Sequence, residues 1–330
     1  MYQIMAEQES IFCNPAGREG AMASKIQPFI QRQHMIQPTY EIYHYRDTYP
    51  NEVALHHHDF YEMYLFLSGS VDYVIDSRHY RISPGDVLLI SPNELHQPMF
   101  SGERQPYERI VLWINKSFLD QFTVVGTALN RCFERAEKHH ANLLRADSAD
   151  LDLMVKLLDY ARNEMEAREF AGSLLADTLM IQTLVILNRL SERSSETAEI
   201  VDKSGGVVAR VLAYINEHYH EDLSLDQLAN RFYISKYHLS REFNRLVGTS
   251  VYRYIVQKRL VMAKQMLGQG VPSSEVYQHC GFGDYSNFYR AFKAEYQVSP
   301  REYVANLKAT AALVEAGVRE RSRLKWSGTE

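Results

Sequence analysis

Apolar positions in the last third of the chain recur at the spacing of amphipathic helices. Leu239, Phe243 and Leu246 lie at i, i+4 and i+7 and predict the buried stripe of one helix. Phe288 and Phe292 predict the same for a second helix. The opposite face of the first helix is polar and carries Lys236, Tyr237, Ser240, Arg241, Asn244 and Arg245. Each helix is therefore expected to bury one face and to offer the other to a partner.

Start and stop signals bound these helices. Ser224 and Gln227 form a capping box, which predicts a short helix ahead of the first long one. Ser235 is placed to cap the long helix and Gly248 to end it. Asp284 is placed to cap the second long helix. The pattern of a short helix, a turn and a longer helix occurs twice and predicts two helix-turn-helix units in tandem.

An uninterrupted helical pattern from Ser250 to Leu267 joins the two units. At 1.5 Å per residue such a helix is about 26 Å long, and one turn of DNA is about 34 Å. A helix-turn-helix unit presents its second helix to the major groove. The sequence therefore predicts that the two units read adjacent major grooves on one side of the duplex.

The front of the chain, residues 38–115, has the short alternating runs of a β-rich domain. Gly, Pro, Asp and Asn turns separate the runs, as expected for a small barrel or jelly roll. The predicted strands are Thr39–Tyr45, Val53–His58, Glu62–Leu67, Ser70–Ile75, Val87–Ile90 and Arg109–Ile114. Helices are predicted over Leu151–Leu190, and the second has a wider apolar arc than one contact face needs.

Composition excludes several protein classes. A hydrophobic content of 45% is ordinary for a globular protein and excludes wholesale disorder. No uninterrupted apolar run approaches the ~18 residues that span a bilayer, and no secretory signal is visible at the N-terminus. Cys13, Cys132 and Cys280 are scattered without a CxxC pair, which indicates free thiols rather than disulfides or a zinc site. A cytoplasmic protein is expected.

Charge is distributed unevenly along the chain. Residues 1–206 contain 19 Lys and Arg against 29 Asp and Glu, whereas residues 207–308 contain 13 against 9. A basic segment attached to an acidic one is typical of a protein in which one domain binds DNA.

About a hundred residues of the helical region follow one known spacing pattern. Its members are Leu228-Ala229, Ser235, Leu239, Arg241, Phe243, Gly248, Tyr254-Ile255, Arg259, Ala263, Leu267, Gly281-Phe282, Phe288, Phe292-Lys293, Pro300 and Tyr303. In these residues the chain resembles the AraC/XylS family of bacterial transcription regulators. Tyr277, Gly283 and Val304 depart from the pattern, so the second unit is expected to pack slightly differently.

The resemblance implies that the exposed faces of the two recognition helices contact bases. Carried over, those positions are Tyr237, Ser240 and Arg241 in the first unit, and Tyr285, Ser286, Asn287, Tyr289 and Arg290 in the second. Arg can bind guanine through two hydrogen bonds. Arg241 and Arg290 can instead clamp phosphates, because half or more of protein–DNA hydrogen bonds go to the backbone.

A histidine-rich stretch marks the β region. The segment HHHDFYEMYLFLSG, followed by SPGDVLLISPNELHQP, resembles the cupin barrel that many regulators of this family carry as an effector-sensing domain. His56, His58, Glu62 and His96 match the HxHxxxE…H pattern of metal-binding cupins. Strand alternation points His56 and His58 to one face and leaves His57 on the opposite face, at the surface.

The barrel residues admit three interpretations. They can bind a small molecule without metal, a metal ion, or one another across the barrel mouth. We predict an effector pocket formed by His56, His58, Glu62, Tyr64 and His96, with no metal and no cofactor. Aromatic side chains such as Tyr64, Phe66 and Tyr73 suit sugar surfaces, or are simply core.

These patterns predict an α+β protein whose N-terminal cupin-type barrel precedes an all-α domain with two helix-turn-helix units joined by a long helix. The predicted segments are a peripheral N-terminus (1–35), the barrel (36–148), a helical segment (149–190), a linker (191–206), the DNA-binding domain (207–308) and a tail (309–330). In the family the helical segment serves dimerisation; the alternative is that it only covers the barrel.

The expected function is that of a transcription regulator, more commonly an activator, whose barrel senses a sugar or sugar derivative. The expected partners are double-stranded DNA, the effector, a second copy of the chain and, for an activator, RNA polymerase, with no membrane. We do not expect an enzyme. The alternative is a metal-dependent cupin enzyme fused to a DNA-binding domain, which metal analysis would distinguish.

Overall fold

Two antiparallel sheets build the first half of the chain. The computed structural model describes residues 34–48, 53–76, 78–100, 106–122, 127–167, 169–194 and 206–309. The strands are β1 (Tyr40–Asp47), β2 (Tyr61–Ser68), β3 (Asp72–Ile75), β4 (Arg78–Arg81), β5 (Asp86–Ile90), β6 (His96–Met99), β7 (Tyr107–Ile114) and β8 (Leu143–Arg145). One sheet has the order β1-β7-β2-β5-β8 and the other β4-β3-β6. This is the antiparallel, cupin-like architecture that the sequence predicted.

Successive side chains of strand β2 point alternately into two hydrophobic cores, one on each face of the larger sheet. Met63 and Leu65 face the helices that cover the larger sheet. Tyr64 and Phe66 face the aromatic core of the barrel, and Glu62 lies on their side of the strand because successive side chains point to opposite faces. In the sheet, Glu62 pairs with Trp113 on β7 and Ile90 on β5. The carboxylate is thereby placed on the inside of the barrel.

Four helices follow the strands or lie between them, and all contribute to the core on the outer face of the larger sheet. They are α1 (Lys116–Gln121), α2 (Arg131–His139), α3 (Ser148–Ala167) and α4 (Gly172–Arg193). Helix α4 is the one described helix that is long and apolar enough to cross a membrane, with a mean hydropathy of 1.2. Core helices pass the same test, and Met180, Leu184 and Leu187 of α4 are fully buried in this core.

The last third is helical. Its elements are α5 (Val207–His218), α6 (Leu225–Arg231), α7 (Lys236–Val247), α8 (Val251–Gly268), α9 (Ser273–His279) and α10 (Tyr285–Tyr296), followed by helical residues 300–309. One buried cluster joins α5, α6 and α7 to the start of α8. A second joins the end of α8 to α9 and α10. Helix α8 thus belongs to both units and fixes their separation.

The predicted caps are confirmed. The Ser224 hydroxyl accepts a hydrogen bond from the Gln227 amide, and the Gln227 side chain accepts one from the Ser224 amide, at 3.2 and 2.7 Å. Ser235 caps α7 and Asp284 caps α10 through the same kind of contact. Gly248 ends α7 in the left-handed conformation, at φ 68°. The local signals therefore fix where both recognition helices begin.

One predicted strand is wrong and three strands were missed. Val53–His58 is not a strand; among its described residues only His56 makes an isolated bridge, to His96. Strands β4, β6 and β8 were not predicted, because short runs such as RHYR and HQPM lack a clear apolar alternation.

Helix α4 continues to Arg193, so the first residues of the predicted linker are helical. Residues 1–33, 195–205 and 310–330, which hold most of the predicted termini and linker, lie outside the described residues.

Candidate DNA-binding surface and ligand pocket

Helix α7 buries Leu239 and Phe243 completely and turns a polar face outward. That face lines an open groove of about 460 Å³, formed by Tyr237, Ser240, Arg241, Asn244 and Arg245. Tyr237 is 79% exposed. The structure therefore brings the three predicted residues of the first unit together on one surface and adds Asn244 and Arg245.

Charges on α7 divide into restrained and accessible groups. Arg245 donates two hydrogen bonds to Glu242, at 2.8 and 3.0 Å, and this contact lowers the pKa of that carboxyl. The Arg241 guanidinium lies 3.7 Å from the same carboxylate, and its side chain is 78% exposed. Lys236 pairs with Asp226 of α6 at 3.3 Å. Arg241 is thus the most exposed cation of the groove, with Arg245 at 63%.

Helix α10 presents a more restrained face. Phe288 and Phe292 are fully buried. The Asn287 side chain donates to Asp284 and accepts from Arg290, both at 2.5 Å. DNA that contacts Arg290 or Asn287 must therefore compete with a network already present within the helix.

The remaining predicted residues of the second unit also lie on α10. Ser286 is exposed and Tyr289 is half-buried. Tyr285 is 38% exposed and meets Tyr277 edge to face, with ring centroids 5.9 Å apart. The departure from the family pattern at Tyr277 therefore has a packing role beside the recognition helix.

The turns of the two units differ at one equivalent position, two residues after the short helix. Tyr233 occupies it in the first unit, at φ 56°, with its side chain 95% exposed. Gly281 occupies it in the second, at φ 77°. A Cβ atom on Gly281 would lie 2.6 Å from the backbone oxygen of His220. The second turn therefore requires glycine for a close approach, whereas the first does not.

Inside the barrel, His58, Glu62 and His96 converge and could hold a metal ion, because their ligand atoms lie within 4.8 Å of one another. Nε2 of His58 is 3.1 Å from Oε2 of Glu62. The Trp113 indole donates to the same carboxylate oxygen at 2.8 Å. Sequence reasoning did not single out Trp113, although strand alternation from Val111 would have placed it inside the barrel.

The other two predicted pocket residues lie beside this group rather than within it. The His56 ring is 4.2 Å from that of His96, between centroids. Burial lowers the pKa of His56 to about 4 and also lowers that of His96, so both rings are neutral at pH 7. Tyr64 lies deeper, buried in the aromatic core, and its hydroxyl hydrogen-bonds to that of Tyr107.

The prediction that His57 lies at the surface is wrong. His57 is 6% exposed, and its Nε2 is 3.2 Å from the hydroxyl of Tyr296 on α10. Burial lowers the pKa of His57 to about 3. The reason is that the DNA-binding domain packs on this edge of the barrel: Leu55 and Leu95 belong to the same buried cluster as α5 and α7. The alternation of side chains along a predicted strand gives no information about packing against another domain.

Comparison with known families identifies both halves. The AraC-like ligand binding domain matches residues 39–184, and a helix-turn-helix domain matches residues 228–306. The chain belongs to the AraC family of transcription regulators. As a regulator of this family it combines an N-terminal ligand-binding domain with a C-terminal DNA-binding domain.

Relatives of this AraC-family regulator include the HTH-type transcriptional activator RhaS from Salmonella schwarzengrund (strain CVM19633) and from Enterobacter sp. (strain 638). Each is 25% identical over 248 residues, which cover 75% of this chain and 86% of the relative. The crystal structure of the DNA-binding domain of AdpA with a target DNA is 29% identical, covers 31% of this chain and 94% of that chain, and has a TM-score of 0.31. ToxT from Vibrio cholerae with a bound unsaturated fatty acid is 14% identical, covers 81% and 95%, and has a TM-score of 0.34.

Proposed function

We propose that this regulator is an activator that reads two adjacent major grooves with α7 and α10 and responds to a small molecule in its barrel. The observation that carries the proposal is the pair of exposed polar helix faces at the two ends of α8. We assign base or phosphate contacts to Tyr237, Ser240, Arg241, Tyr285, Ser286, Asn287, Tyr289 and Arg290. Arg241 is expected to contribute most, because it is the most exposed cation of the first groove and is held less closely by Glu242 than Arg245 is.

The effector we propose is a sugar or sugar derivative. His56, His58, Glu62, Tyr64 and His96 supply polar groups beside an aromatic core that contains Trp113. Pockets of this kind orient a ligand through a few polar atoms and bury its apolar faces against rings. The curated relatives are named as activators, which supports activation and hence a contact with RNA polymerase.

The proposed domain assignment keeps the bounds that the sequence predicted. We assign residues 36–148 to effector binding, 149–190 to dimerisation and 207–308 to DNA binding, in a cytoplasmic protein without catalytic activity. Large apolar side chains exposed around α3 and α4 support a dimer; they are Leu153, Tyr160, Phe170, Leu174 and Leu175. Exposed apolar side chains of this size mark an interaction site when they form one patch.

Arg241→Ala is expected to weaken operator binding by about 1–3 kcal/mol, or roughly 5- to 150-fold, because one base contact is lost. The operator is first located by footprinting of the full chain, with and without a panel of sugars. Affinity for the protected duplex and for a scrambled duplex is then measured by fluorescence anisotropy.

The scrambled duplex separates two roles of the side chain. If Arg241 reads a base, the substitution lowers affinity for the operator much more than affinity for scrambled DNA. Arg301→Ala is the matched control, because it removes an exposed arginine from the helical residues 300–309. It should leave the ratio of operator affinity to scrambled-duplex affinity unchanged. Equal losses on both duplexes would make Arg241 a phosphate contact, and an unchanged footprint would remove it from the interface.

A further inference from the structure

The sixth residue of both α7 and α10 is an arginine. Each helix has 12 residues and begins directly after a residue whose side chain caps it, so Arg241 of α7 and Arg290 of α10 occupy equivalent positions. Both side chains are exposed. Any difference in what the two arginines can contact must therefore come from the side chains beside them.

In α10 a chain of hydrogen bonds connects the cap to the arginine. Asp284 accepts from the backbone amide of Asn287 through Oδ1, at 2.7 Å, and from the Asn287 side-chain amide through Oδ2, at 2.5 Å. Oδ1 of Asn287 accepts from Nη2 of Arg290, also at 2.5 Å. Each of these side-chain contacts has one charged partner, which strengthens a hydrogen bond. We call Asp284, Asn287 and Arg290 the α10 relay.

The charges at the two ends of the relay determine the orientation of the Asn287 amide. A carboxylate only accepts hydrogen bonds, and a guanidinium only donates them. The amide nitrogen therefore faces Asp284 and the amide oxygen faces Arg290. The reversed amide would place two acceptors together at one end and two donors together at the other. The relay thus has one satisfied arrangement, and it ties the guanidinium to the cap of its own helix.

The relay also determines which edge of the Arg290 guanidinium is available to DNA. Nε and Nη2 form one edge of this planar group, and both donate to the helix: Nη2 to Asn287, and Nε to the backbone oxygen of Ser286 at 3.4 Å. A second edge, formed by Nη1 and the other proton of Nη2, points away from both oxygens. Arginine reads guanine with two N–H groups of one edge, which donate to O6 and N7. The second edge of Arg290 carries such a pair.

The equivalent positions of α7 carry different side chains. Ser235 caps that helix through its hydroxyl, which accepts from the backbone amide of His238, its third residue, at 3.2 Å. Nε of Arg241 lies 3.7 Å from the carboxylate of its neighbour Glu242, which is beyond hydrogen-bond distance. One oxygen is therefore enough to cap a recognition helix in this domain. The second carboxylate oxygen of Asp284 is not needed for the cap, and it is the one that holds the relay.

We propose that Asp284 is a positioning residue that holds Arg290 through Asn287, so that α10 selects a guanine at one position of its DNA site. The inference rests on the proposed function, because it takes α10 to be a recognition helix. A side chain that is held before binding loses less conformational entropy on binding. A held guanidinium also cannot turn to a phosphate when the base is wrong. Asn287 keeps one amide proton and one lone pair for the DNA contact assigned to it above.

Selection by the full chain from a pool of duplexes randomised across the footprint tests the proposal, with sequencing of the bound fraction. We expect a preference for guanine of about tenfold or more at one position, and Arg290→Ala should abolish it there. Asp284→Ser should reduce the same preference severalfold, because serine keeps the cap and removes the second oxygen. Asn287→Ala should also reduce it, and alanine favours a helix more than asparagine does.

Circular dichroism and thermal unfolding show whether the cap is kept. Asp284→Ser should match the wild type in both, so that a loss of base preference cannot be attributed to a loss of helix. Asp222→Ser is the matched control, since it removes an exposed carboxylate ahead of α6, and it should leave the guanine preference unchanged. Asn287→Ala decides the question if Asp284→Ser does not fold.

The same selection distinguishes failure of the relay from failure of the proposed function. If the wild type enriches no duplex, the proposed function fails. If it enriches a site but Arg290→Ala changes no base preference, Arg290 is a phosphate contact and the proposal is overturned. A folded Asp284→Ser or Asn287→Ala variant that keeps the full guanine preference overturns it as well, because Arg290 then reads the base without the relay.

Discussion

Gly281→Ala is expected to destabilise the second helix-turn-helix unit by about 3–5 kcal/mol and to lower operator affinity 100-fold or more. The left-handed backbone at this turn already disfavours a side chain. In addition, the new methyl group would lie 2.6 Å from the backbone oxygen of His220, and a backbone atom cannot turn away as a flexible side chain does. Helix α10 would then lose its support, so only the first unit would read DNA.

Two other glycines separate the causes of this effect. Gly270 also has a positive φ, 91°, but a Cβ there meets nothing within 4 Å, so Gly270→Ala isolates the conformational cost. Gly283→Ala meets nothing either, and the backbone there lies outside the left-handed region, so it should be nearly neutral. Urea unfolding followed by circular dichroism, together with operator anisotropy, measures all three. Similar values for Gly281→Ala and Gly270→Ala would show that the close approach to His220 is unimportant.

Leu153→Glu combined with Tyr160→Glu is expected to convert the proposed dimer to a monomer and to reduce binding to a paired operator about 100-fold. The two residues are seven apart on α3, hence on one helix face, and each is 46% exposed. A carboxylate at each would be buried without a partner in an apolar interface, whereas it costs little in water. Loss of the second copy removes the gain from linked binding to two half-sites.

Sedimentation velocity of the free protein and anisotropy on paired and single half-sites check this result. Ile36→Glu, which places the same charge at another exposed apolar position, should leave the dimer intact. If the double variant sediments as the wild type does, α3 is not the dimer contact and its apolar residues only cover the barrel.

The ends of the helices in the C-terminal domain could be predicted from the sequence because short-range contacts determine them. The caps at Ser224, Ser235 and Asp284 and the turn at Gly248 depend on residues within one or two helical turns, and all four are present. The match of His58, Glu62 and His96 to the pattern of metal-binding cupins also predicted that they would lie close together, and their ligand atoms do converge inside the barrel.

What the sequence could not supply was long-range packing. His57 was placed at the surface on the assumption that Val53–His58 is a strand with one face in water. The DNA-binding domain covers that face, so Tyr296, which is 239 residues away in sequence, closes over His57. Tyr64, which stays among the proposed pocket residues, lies deeper in the barrel, and its hydroxyl hydrogen-bonds to that of Tyr107. The error at His57 arose from a partner distant in sequence.

Helix α8 has a consequence for the promoters that this regulator serves. Its 18 residues span about 27 Å along the helix axis. Because α8 is part of both units, it would hold the two proposed reading helices at one distance and rotation. One extra base pair between the two contacted boxes would displace the second box by about 3.4 Å and turn it roughly 35° around the duplex. If α7 and α10 both read DNA as proposed, target sites differ in the bases of each box but not in the spacing between boxes. That constant spacing is the signature by which a genome can be searched for them.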